Sequence, residues 1–170
     1  EAHLSSRCWT PMWDKPNINV IAPAGTDASN HGGGQLIWID GAQEEIAYEW
    51  NSWEGEQPIH WRELVCLLSL LENWGDRLRG GRLYLETDNM AAYCVLFKLR
   101  AMSPTLMELV RRFYAKCVWL NITFKIKHTP GVNLEREDRL SRGAPPATPR
   151  VQLIPSLVSS ILASLPKLTH

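Results

Sequence analysis

The spacing of the hydrophobic residues changes after about residue 50, and this change limits the fold more than any other feature of the chain. Up to that point, segments at about 20–28, 35–39 and 45–50 have the composition of strands. Beyond it, apolar residues recur at intervals of three and four, which predicts a helix over about 60–77. The predicted buried face of this helix consists of Leu64, Leu67, Leu68, Leu71 and Trp74.

Helices and strands alternate in the rest of the chain. Two more strands are predicted at about 82–87 and 122–127. The start signals of three further helices are capping or first-turn residues, namely Asp88 or Asn89, Ser103 with Pro104, and Asn133. The resulting order, βββ-α-β-α-α-β-α, predicts an α/β fold with a five-stranded mixed sheet flanked by helices.

The first two strands contain signs of irregular backbone. Pro23 and Gly25 predict that the first strand is irregular or lies at an edge of the sheet. The glycine run 32–34 predicts a loose turn, because three successive glycines are free to take positive φ. Asp40 followed by Gly41 is typical of a tight hairpin turn before the third strand.

The composition suits one domain with appendages. The 170 residues are 45% hydrophobic and 21% charged, close to the average of soluble globular proteins. We expect an irregular lead-in at 1–19, a folded domain at 20–143 and a proline-containing linker and tail at 144–170. No apolar run approaches the roughly 20 residues that span a bilayer, and residues 1–16 lack the apolar core of a signal peptide. We therefore expect an intracellular setting, in the cytoplasm or the nucleus. The sequence also lacks an initiator Met, and we expect it to be a piece of a longer polyprotein.

Cysteine and tryptophan usage argues mainly for packing. No two of the four cysteines have C-x-x-C spacing, so neither a zinc site nor a redox pair is indicated. Cys66 and Cys117 fall on apolar helix faces, where a buried thiol is expected. Trp50, Trp53 and Trp61 could stack on nucleotides, but core packing is the more common role of aromatic side chains.

Basic residues cluster between residues 97 and 127, although the net charge of the chain is zero. A local basic surface can bind a phosphate backbone even in a neutral chain. The alternative is a solvated helix face. Glu108 is the one acid in a stretch whose basic residues are Lys98, Arg100, Arg111, Arg112, Lys116, Lys125 and Lys127.

Four acids occupy places from which they could converge. Asp27 ends the first predicted strand, Glu63 lies in the first turn of the first long helix, Asp88 ends the fourth strand and Asp138 lies in the last helix. Each alone has a simpler explanation, such as a turn, a helix-dipole partner, a cap, or an i,i+4 pair with Arg142. Together they would repel one another without cations. With two Mg²⁺ they become hard oxygen ligands, which is the chemistry of phosphodiester cleavage.

Short motifs surround these acids in a fixed order. They are T-D-A-S, a Gly-rich turn and hairpin, a helix opening with E-L, T-D-N, K-H-T-P-G and D-R-L-S-R. This series, over about 21–142, resembles the ribonuclease H domain of retroelement reverse transcriptases. The elements it looks most like are the DIRS-like (tyrosine-recombinase) and gypsy-like LTR elements.

The resemblance implies a ribonuclease H-like fold that cleaves the RNA strand of RNA–DNA hybrids with two Mg²⁺ ions, which Mn²⁺ can replace. It also implies the polymerase domain of the same polyprotein as a partner. The residues that match the family's metal-binding carboxylates are Asp27, Glu63, Asp88 and Asp138. His128 matches a histidine thought to aid proton movement or product release, although it could simply be a polar residue at a strand end.

The resemblance also implies contacts with the hybrid. Residues placed to bind the minor groove are Ser29, Asn30 and Asn89, although Ser29 and Asn30 could equally form the turn. The basic residues placed to hold the DNA-strand phosphates are Lys98, Arg100, Lys125 and Lys127.

Two positions depart from the family pattern. Leu134 and Glu137 stand where the family usually has Asn and a small residue, and Glu137 is expected to point about 100° away from Asp138, toward solvent. Two alternatives to the enzyme remain. One is a degenerate ribonuclease H-like module that only binds nucleic acid or protein. The other is a DDE recombinase, whose acids are placed differently.

Overall fold

Five strands form one mixed sheet in the computed structural model of the protein, which describes residues 21–147. The strands are β1 (Ile21–Ala28), β2 (Gly32–Ile39), β3 (Ala42–Glu49), β4 (Arg82–Thr87) and β5 (Thr123–His128). Their order across the sheet is β3-β2-β1-β4-β5. The pairs β1–β2 and β2–β3 are antiparallel, whereas β1–β4 and β4–β5 are parallel. The predicted α/β class and mixed five-stranded sheet are confirmed.

Five α-helices join or flank these strands. They are α1 (Ser52–Gly55), α2 (Ile59–Trp74), α3 (Met90–Lys98), α4 (Pro104–Trp119) and α5 (Glu135–Ser141). The short helix α1 adds one element to the predicted order; a capping box between Asn51 and Glu54 starts it. No helix within residues 21–147 is long and apolar enough to cross a bilayer. The predicted lead-in, and the tail from residue 148 onward, lie outside the described residues.

Helix α2 forms the centre of the core. Its predicted apolar face is buried, and so are Val65, Cys66 and Leu70 on its other sides. The reason is that α2 lies between the sheet and α4, so it is covered from both directions. Each fully buried leucine contributes about 1.5–3 kcal/mol of transfer free energy. Cys66 and Cys117 are buried thiols, as expected.

The tryptophans near the start of α2 take part in packing. Trp61 is 2% exposed and meets Trp53 edge to face, with ring centroids 5.4 Å apart. The indole N–H of Trp50 donates to the carbonyl oxygen of Ser29 at 3.0 Å. The packing explanation therefore holds for Trp61 and Trp50, while Trp53 remains 40% exposed.

The expectation of an edge position for the first strand is wrong, because β1 lies at the centre of the sheet. Pro23 pairs with Tyr84 of β4, but the pairs with β2 begin only at Ala24. The proline therefore stands beyond the end of the β1–β2 ladder, where a missing N–H is tolerated. A central β1 places the end of the strand, with Asp27, between β2 and β4.

The glycine run 32–34 lies in β2, so the prediction of a loose turn there is also wrong. Close packing explains these glycines better than backbone freedom. A Cβ on Gly34 would overlap the carbonyl oxygen of Glu137, and a Cβ on Gly33 would overlap the ring of Tyr48. Because Gly33 and Gly34 have no side chains, α5 packs directly against the β2 backbone on one face of the sheet, and Tyr48 packs against it on the other face.

The start of α5 differs from the prediction. Leu134, not Asn133, is the residue before the helix, and no side chain caps it. Asn133 instead ends a short 3₁₀ turn, Gly131–Asn133. Arg136 on α5 and Glu45 on β3 form a hydrogen-bonded ion pair, with Nε 2.9 Å from Oε1. This pair holds α5 on the face of the sheet opposite α2.

Candidate metal centre

Three carboxylates meet at one edge of the sheet. They are Asp27 at the end of β1, Glu63 on α2 and Asp88 directly after β4, and one ligand atom of each lies within 4.8 Å of the others. Because β1 and β4 are parallel neighbours, their carboxyl ends lie at the same edge. Helix α2 brings the third acid there, where Glu63 Oε1 accepts the backbone N–H of Ala28 at 3.1 Å. The structure thus brings together three of the four acids singled out in the sequence.

Burial makes this cluster electrostatically unfavourable on its own. Glu63 is 2% exposed, and loss of solvent, followed by the charge of Asp27, raises the pKa of Glu63 to about 9. Burial also raises the pKa of Asp27, although a hydrogen bond from Ser141 opposes the shift. Close carboxylates in a poorly solvated site must bind protons or a cation to be stable.

The donor set fits a hard divalent cation. Glu63 Oε2 is buried and has no hydrogen-bond partner among residues 21–147. An orphaned buried carboxylate oxygen carries a cost unless a ligand satisfies it. Asp88 reaches solvent, so the cluster is open on one side. Three carboxylates with one open side match the oxygen-rich, partly hydrated coordination that Mg²⁺ prefers.

Asp138 lies at the rim of the same cleft. It borders the opening together with Asp27, Asp88 and the loop that contains Gly131. Its Oδ1 accepts a hydrogen bond from Arg142 Nε at 2.8 Å, and its side chain is 41% exposed. The i,i+4 pair considered for this acid is therefore present, and Asp138 is not part of the group of three within 4.8 Å.

His128 and Asn89 flank Asp88. His128 Nε2 lies 2.9 Å from the backbone oxygen of Asp88, and since a carbonyl can only accept, Nε2 carries the hydrogen. Asn89 is the N-cap of α3, where its Oδ1 accepts the N–H of Ala92. Both side chains therefore hold the backbone that carries Asp88 as it leaves β4.

Ser29 shapes the turn between β1 and β2. Its Oγ accepts the N–H groups of His31 and Gly32 at 3.0 and 3.2 Å, and donates to the carbonyl oxygen of Ser141 at 2.7 Å. The Ser29 side chain is 8% exposed and is occupied by these bonds. It therefore forms the turn, which was the alternative to a contact with the minor groove.

Asn30 is exposed at the tip of that turn, and a buried arginine holds it. Arg62 is 5% exposed; its Nη2 donates to Asn30 Oδ1 at 3.1 Å and its Nη1 donates to the Ser29 carbonyl at 2.7 Å. The sequence reading did not single out Arg62. The available signal was its position directly before Glu63, in W-R-E-L.

Ser141 is a second residue that sequence reasoning missed. It is fully buried at the end of α5, with Oγ 2.7 Å from Asp27 Oδ2. Its signal was its place in D-R-L-S-R, three residues after Asp138. It connects the last helix directly to the carboxylate on the central strand.

The basic stretch divides into two groups. Arg111, Arg112 and Lys116 on α4 are paired with Glu108 or Glu72. The remaining basic residues lie on or after α3 and on the edge strand β5, which α3 contacts; they are Lys98, Arg100, Lys125 and Lys127. Of these, Lys127 Nζ is 3.9 Å from Glu86, a distance that gives only a weak pair.

Glu137 does not face solvent, contrary to expectation. It is 6% exposed and its carboxylate lies against Gly25 of β1, in the space that a Cβ there would fill. The helix rests flat on the sheet, so Leu140 and Ser141 are buried with it. Burial raises the pKa of Glu137.

No protein-family profile matches the chain, and no curated protein matches it. The chain does match solved structures. The RNase H1 of the halophilic archaeon Halobacterium salinarum NRC-1 is 17% identical over 71% of this chain and 92% of its own, with a TM-score of 0.53. The N-terminal RNase H domain of a Mycobacterium tuberculosis protein is 15% identical over 74% of this chain and 97% of its own, with a TM-score of 0.57.

A third similar structure holds nucleic acid. It is LC11-RNase H1, isolated from compost by a metagenomic approach, in complex with an RNA/DNA hybrid. It is 18% identical over 74% of this chain and 95% of its own, with a TM-score of 0.52. At these identities the likeness concerns the fold, and it shows that residues 21–147 have the ribonuclease H fold.

Proposed function

We propose that this chain is a ribonuclease H that cleaves the RNA strand of RNA–DNA hybrids with the help of two divalent cations, Mg²⁺ or, in its place, Mn²⁺. The observation that carries the proposal is the meeting of Asp27, Glu63 and Asp88 within 4.8 Å, with the buried oxygen Glu63 Oε2 left without a hydrogen-bond partner in the described part of the chain, residues 21–147. The hybrid bound by LC11-RNase H1, which shares the fold, supports the choice of substrate.

The four acids have distinct parts in this proposal. Asp27, Glu63 and Asp88 would hold the cations, and Asp138 at the rim would complete the site once it exchanges its pair with Arg142 for a cation. A pair of divalent cations, when bound, supplies an activated water and stabilises the leaving oxygen. His128, whose Nε2–H is held by the Asp88 carbonyl, has its other ring nitrogen to receive or give a proton near the products.

The hybrid would be held by two surfaces. Asn30, fixed by Arg62, lies in the turn after the strand that carries Asp27, and Asn89 follows Asp88 at the start of α3; from these places they could contact ribose 2′-hydroxyl groups. Ser29 would contribute by shaping the turn. The charges of Lys98, Arg100, Lys125 and Lys127, on α3 and β5, would hold the DNA-strand phosphates.

The motifs also support a proposal for the cellular setting. T-D-A-S, K-H-T-P-G and D-R-L-S-R support a place in the reverse transcriptase polyprotein of a DIRS-like or gypsy-like element. In that setting the polymerase domain is the partner, and the RNA strand is the template that the polymerase has copied. The cytoplasm or the nucleus would be the site of action.

A degenerate module that binds hybrids without cutting them is the second candidate. The observation in its favour is that Asp138 is paired with Arg142 and is not one of the three acids that lie within 4.8 Å of one another. If that pair does not open, the site has only three ligating carboxylates.

The test is cleavage of a hybrid labelled on its RNA strand, with Mg²⁺, Mn²⁺ or EDTA. We expect cleavage with either cation, and loss of at least about a hundredfold in rate for Asp27→Asn or Asp88→Asn, because each removes a ligand from the reacting site. Asp76→Asn is the matched control, since Asp76 is 93% exposed and pairs only weakly with Arg79. Tight binding without cleavage would favour the degenerate module. Full-rate cleavage by Asp27→Asn would refute the site.

A further inference from the structure

Ser141 occupies an unusual place for a buried hydroxyl. Its side chain is fully buried, with Oγ 2.7 Å from Asp27 Oδ2 and 2.8 Å from the backbone oxygen of Asp138. A hydroxyl has one hydrogen, so it donates to one of these at a time. A carboxylate is the stronger acceptor, because a charge-assisted hydrogen bond is roughly twice as strong as a neutral one.

This contact gives the two carboxylate oxygens of Asp27 different surroundings. Within residues 21–147, Ser141 is the side chain that donates to this carboxylate, and it does so at Oδ2. Oδ1 accepts no hydrogen bond within the same residues, so it is the oxygen whose lone pairs are left for a cation. Without the hydroxyl, the carboxylate could rotate about its last bond, since such terminal torsions are broad.

The backbone around Ser141 is itself held in place. Its carbonyl oxygen accepts the hydroxyl of Ser29 at 2.7 Å, which ties the end of α5 to the turn after β1. Its backbone nitrogen lies 2.7 Å from the position that a Cβ on Gly34 would take, so α5 touches the β2 backbone. A hydroxyl fixed in this way has little freedom to follow Asp27 if that side chain moves.

We propose that Ser141 is a positioning residue of the metal centre: it fixes the Asp27 carboxylate through Oδ2 so that Oδ1 remains free to bind a divalent cation. The inference rests on the proposed function, because it takes Asp27 to be a metal ligand. Ser141 itself contacts neither cation nor substrate in this proposal.

The test measures cation binding apart from catalysis. MgCl₂ and MnCl₂ are titrated calorimetrically into the purified chain and into Ser141→Ala, with no nucleic acid present. We expect the dissociation constant to rise about 10–100-fold, the usual effect of removing a group that orients a metal ligand. The Mg²⁺ concentration for half-maximal hybrid cleavage should rise in parallel, whereas kcat at saturating Mg²⁺ should largely recover.

Ser69→Ala is the matched control. Ser69 is equally buried, but its hydroxyl bonds to Gln35 and to the carbonyl of Cys66, away from the acids. It should lower the melting temperature without changing cation affinity. If Ser141→Ala does not fold, Ser141→Cys keeps a side chain of the same shape, slightly larger and with a weaker donor, and should give a smaller rise in the dissociation constant.

The outcomes separate the two claims. Unchanged cation affinity in a folded Ser141→Ala or Ser141→Cys, with wild type binding and cleaving normally, overturns the positioning role alone. A wild-type chain that neither binds the cations nor cleaves the hybrid overturns the proposed function and, with it, this inference.

Discussion

Glu63 Oε1 accepts the backbone N–H of Ala28 at 3.1 Å, so the helix that carries one acid is tied to the strand that carries another. Asp27 precedes Ala28 in β1, so its backbone cannot move away from Glu63 without breaking this bond. Repulsion among the acids is therefore not easily relieved by separating these two elements. It must be relieved by protons or by cations, and this makes the stability of the metal-free protein depend on pH.

Glu63 should make the metal-free protein less stable as the pH rises. Its pKa is about 9 in the folded protein, against about 4.5 ordinarily, because it is buried and close to Asp27. Between these values the folded state holds a proton that the unfolded chain releases, so stability falls with rising pH across that window. The measurement is the melting temperature in EDTA at pH 5, 7 and 9.

Glu63→Gln should flatten this pH dependence, because an amide does not titrate. Glu56→Gln, at an exposed position, is the control and should leave the wild-type slope. A melting temperature that rises from pH 5 to pH 9 in EDTA would contradict the assignment. Addition of Mg²⁺ should raise the melting temperature most at high pH, where the carboxylates are ionised.

Gly34→Ala should displace α5. The new Cβ would overlap the carbonyl oxygen of Glu137, and backbone atoms cannot swing aside as a flexible side chain can. We expect a loss of roughly 1–3 kcal/mol in unfolding free energy, as in other overpacked sites, together with weaker cation binding. Chemical denaturation and calorimetry measure the two effects.

The control for this substitution is Gly55→Ala. A Cβ on Gly55 would meet only Trp50 Cβ at 3.8 Å, an ordinary contact. It lies in α1, so the change should be neutral or stabilising by up to about 1 kcal/mol. Equal effects of the two substitutions would mean that helix contact is not the reason for the glycine at position 34.

Arg136→Ala should destabilise the protein at neutral pH and much less in acid. Hydrogen bonds from Arg136 hold the pKa of Glu45, which is 2% exposed, at about 2. The pair thus contributes stability that is present above about pH 4.5 and is lost as the pH falls toward 2. Removing the arginine should cost about 1–3 kcal/mol at pH 7, because the buried Glu45 loses its opposite charge and keeps only the hydrogen bonds from Gln43 and Ala147.

Urea denaturation at pH 7 and pH 3 measures this difference. Lys116→Ala is the control, because Lys116 and Glu72 form a pair in which both side chains are 32% exposed. It should cost less than about 1 kcal/mol at either pH. The same cost for Arg136→Ala at both pH values would show that the charge of Glu45 is not what matters.

His128 should affect the rate of cleavage through its proton. His128→Ala and His128→Gln are compared under single-turnover conditions, since the glutamine amide nitrogen takes the place of Nε2 and can still donate to the Asp88 carbonyl but cannot transfer a proton as imidazole does. We expect both variants to lose at least about a hundredfold in rate while binding the hybrid normally. Recovery of the wild-type rate with glutamine would assign His128 a purely structural role.

Lys125 and Lys127 should contribute to hybrid affinity in a salt-dependent way. Both lie on the edge strand β5, whose carboxyl end is beside Asp88. Replacing both with Gln should reduce the slope of log affinity against log salt by about 0.9 for each lost phosphate contact. Arg79→Gln, before the opposite end of β4, is the control. An unchanged slope in the double variant would place the DNA strand elsewhere.

The acid cluster could be predicted from sequence because each acid ends a strand or lies in a helix whose period is clear. Asp27 and Asp88 follow neighbouring parallel strands, so their convergence is a consequence of topology. Glu63 falls in a helix marked by leucines at intervals of three and four. These patterns are local in the sequence, and the topology of the sheet is enough to bring the acids together.

What could not be predicted depends on contacts between distant segments. The glycine run 32–34 has the composition of a turn, and only the presence of α5 and Tyr48 explains its place in β2. Glu137 was expected in solvent because its helix position says nothing about how the helix lies on the sheet. Ser141 and Arg62 act through partners more than 30 positions away in the chain.

The ion pair between α5 and β3 bears on how the protein should be dissected. Glu45 Oε2 accepts the backbone N–H of Ala147 at 2.8 Å, and Arg136 Nη2 donates to the carbonyl of Pro145 at 3.1 Å. A recombinant fragment cut at residue 143 would lose both ties and expose a carboxylate that the longer chain shields. Truncation boundaries should therefore lie beyond Ala147, or an inactive fragment will be mistaken for an inactive enzyme.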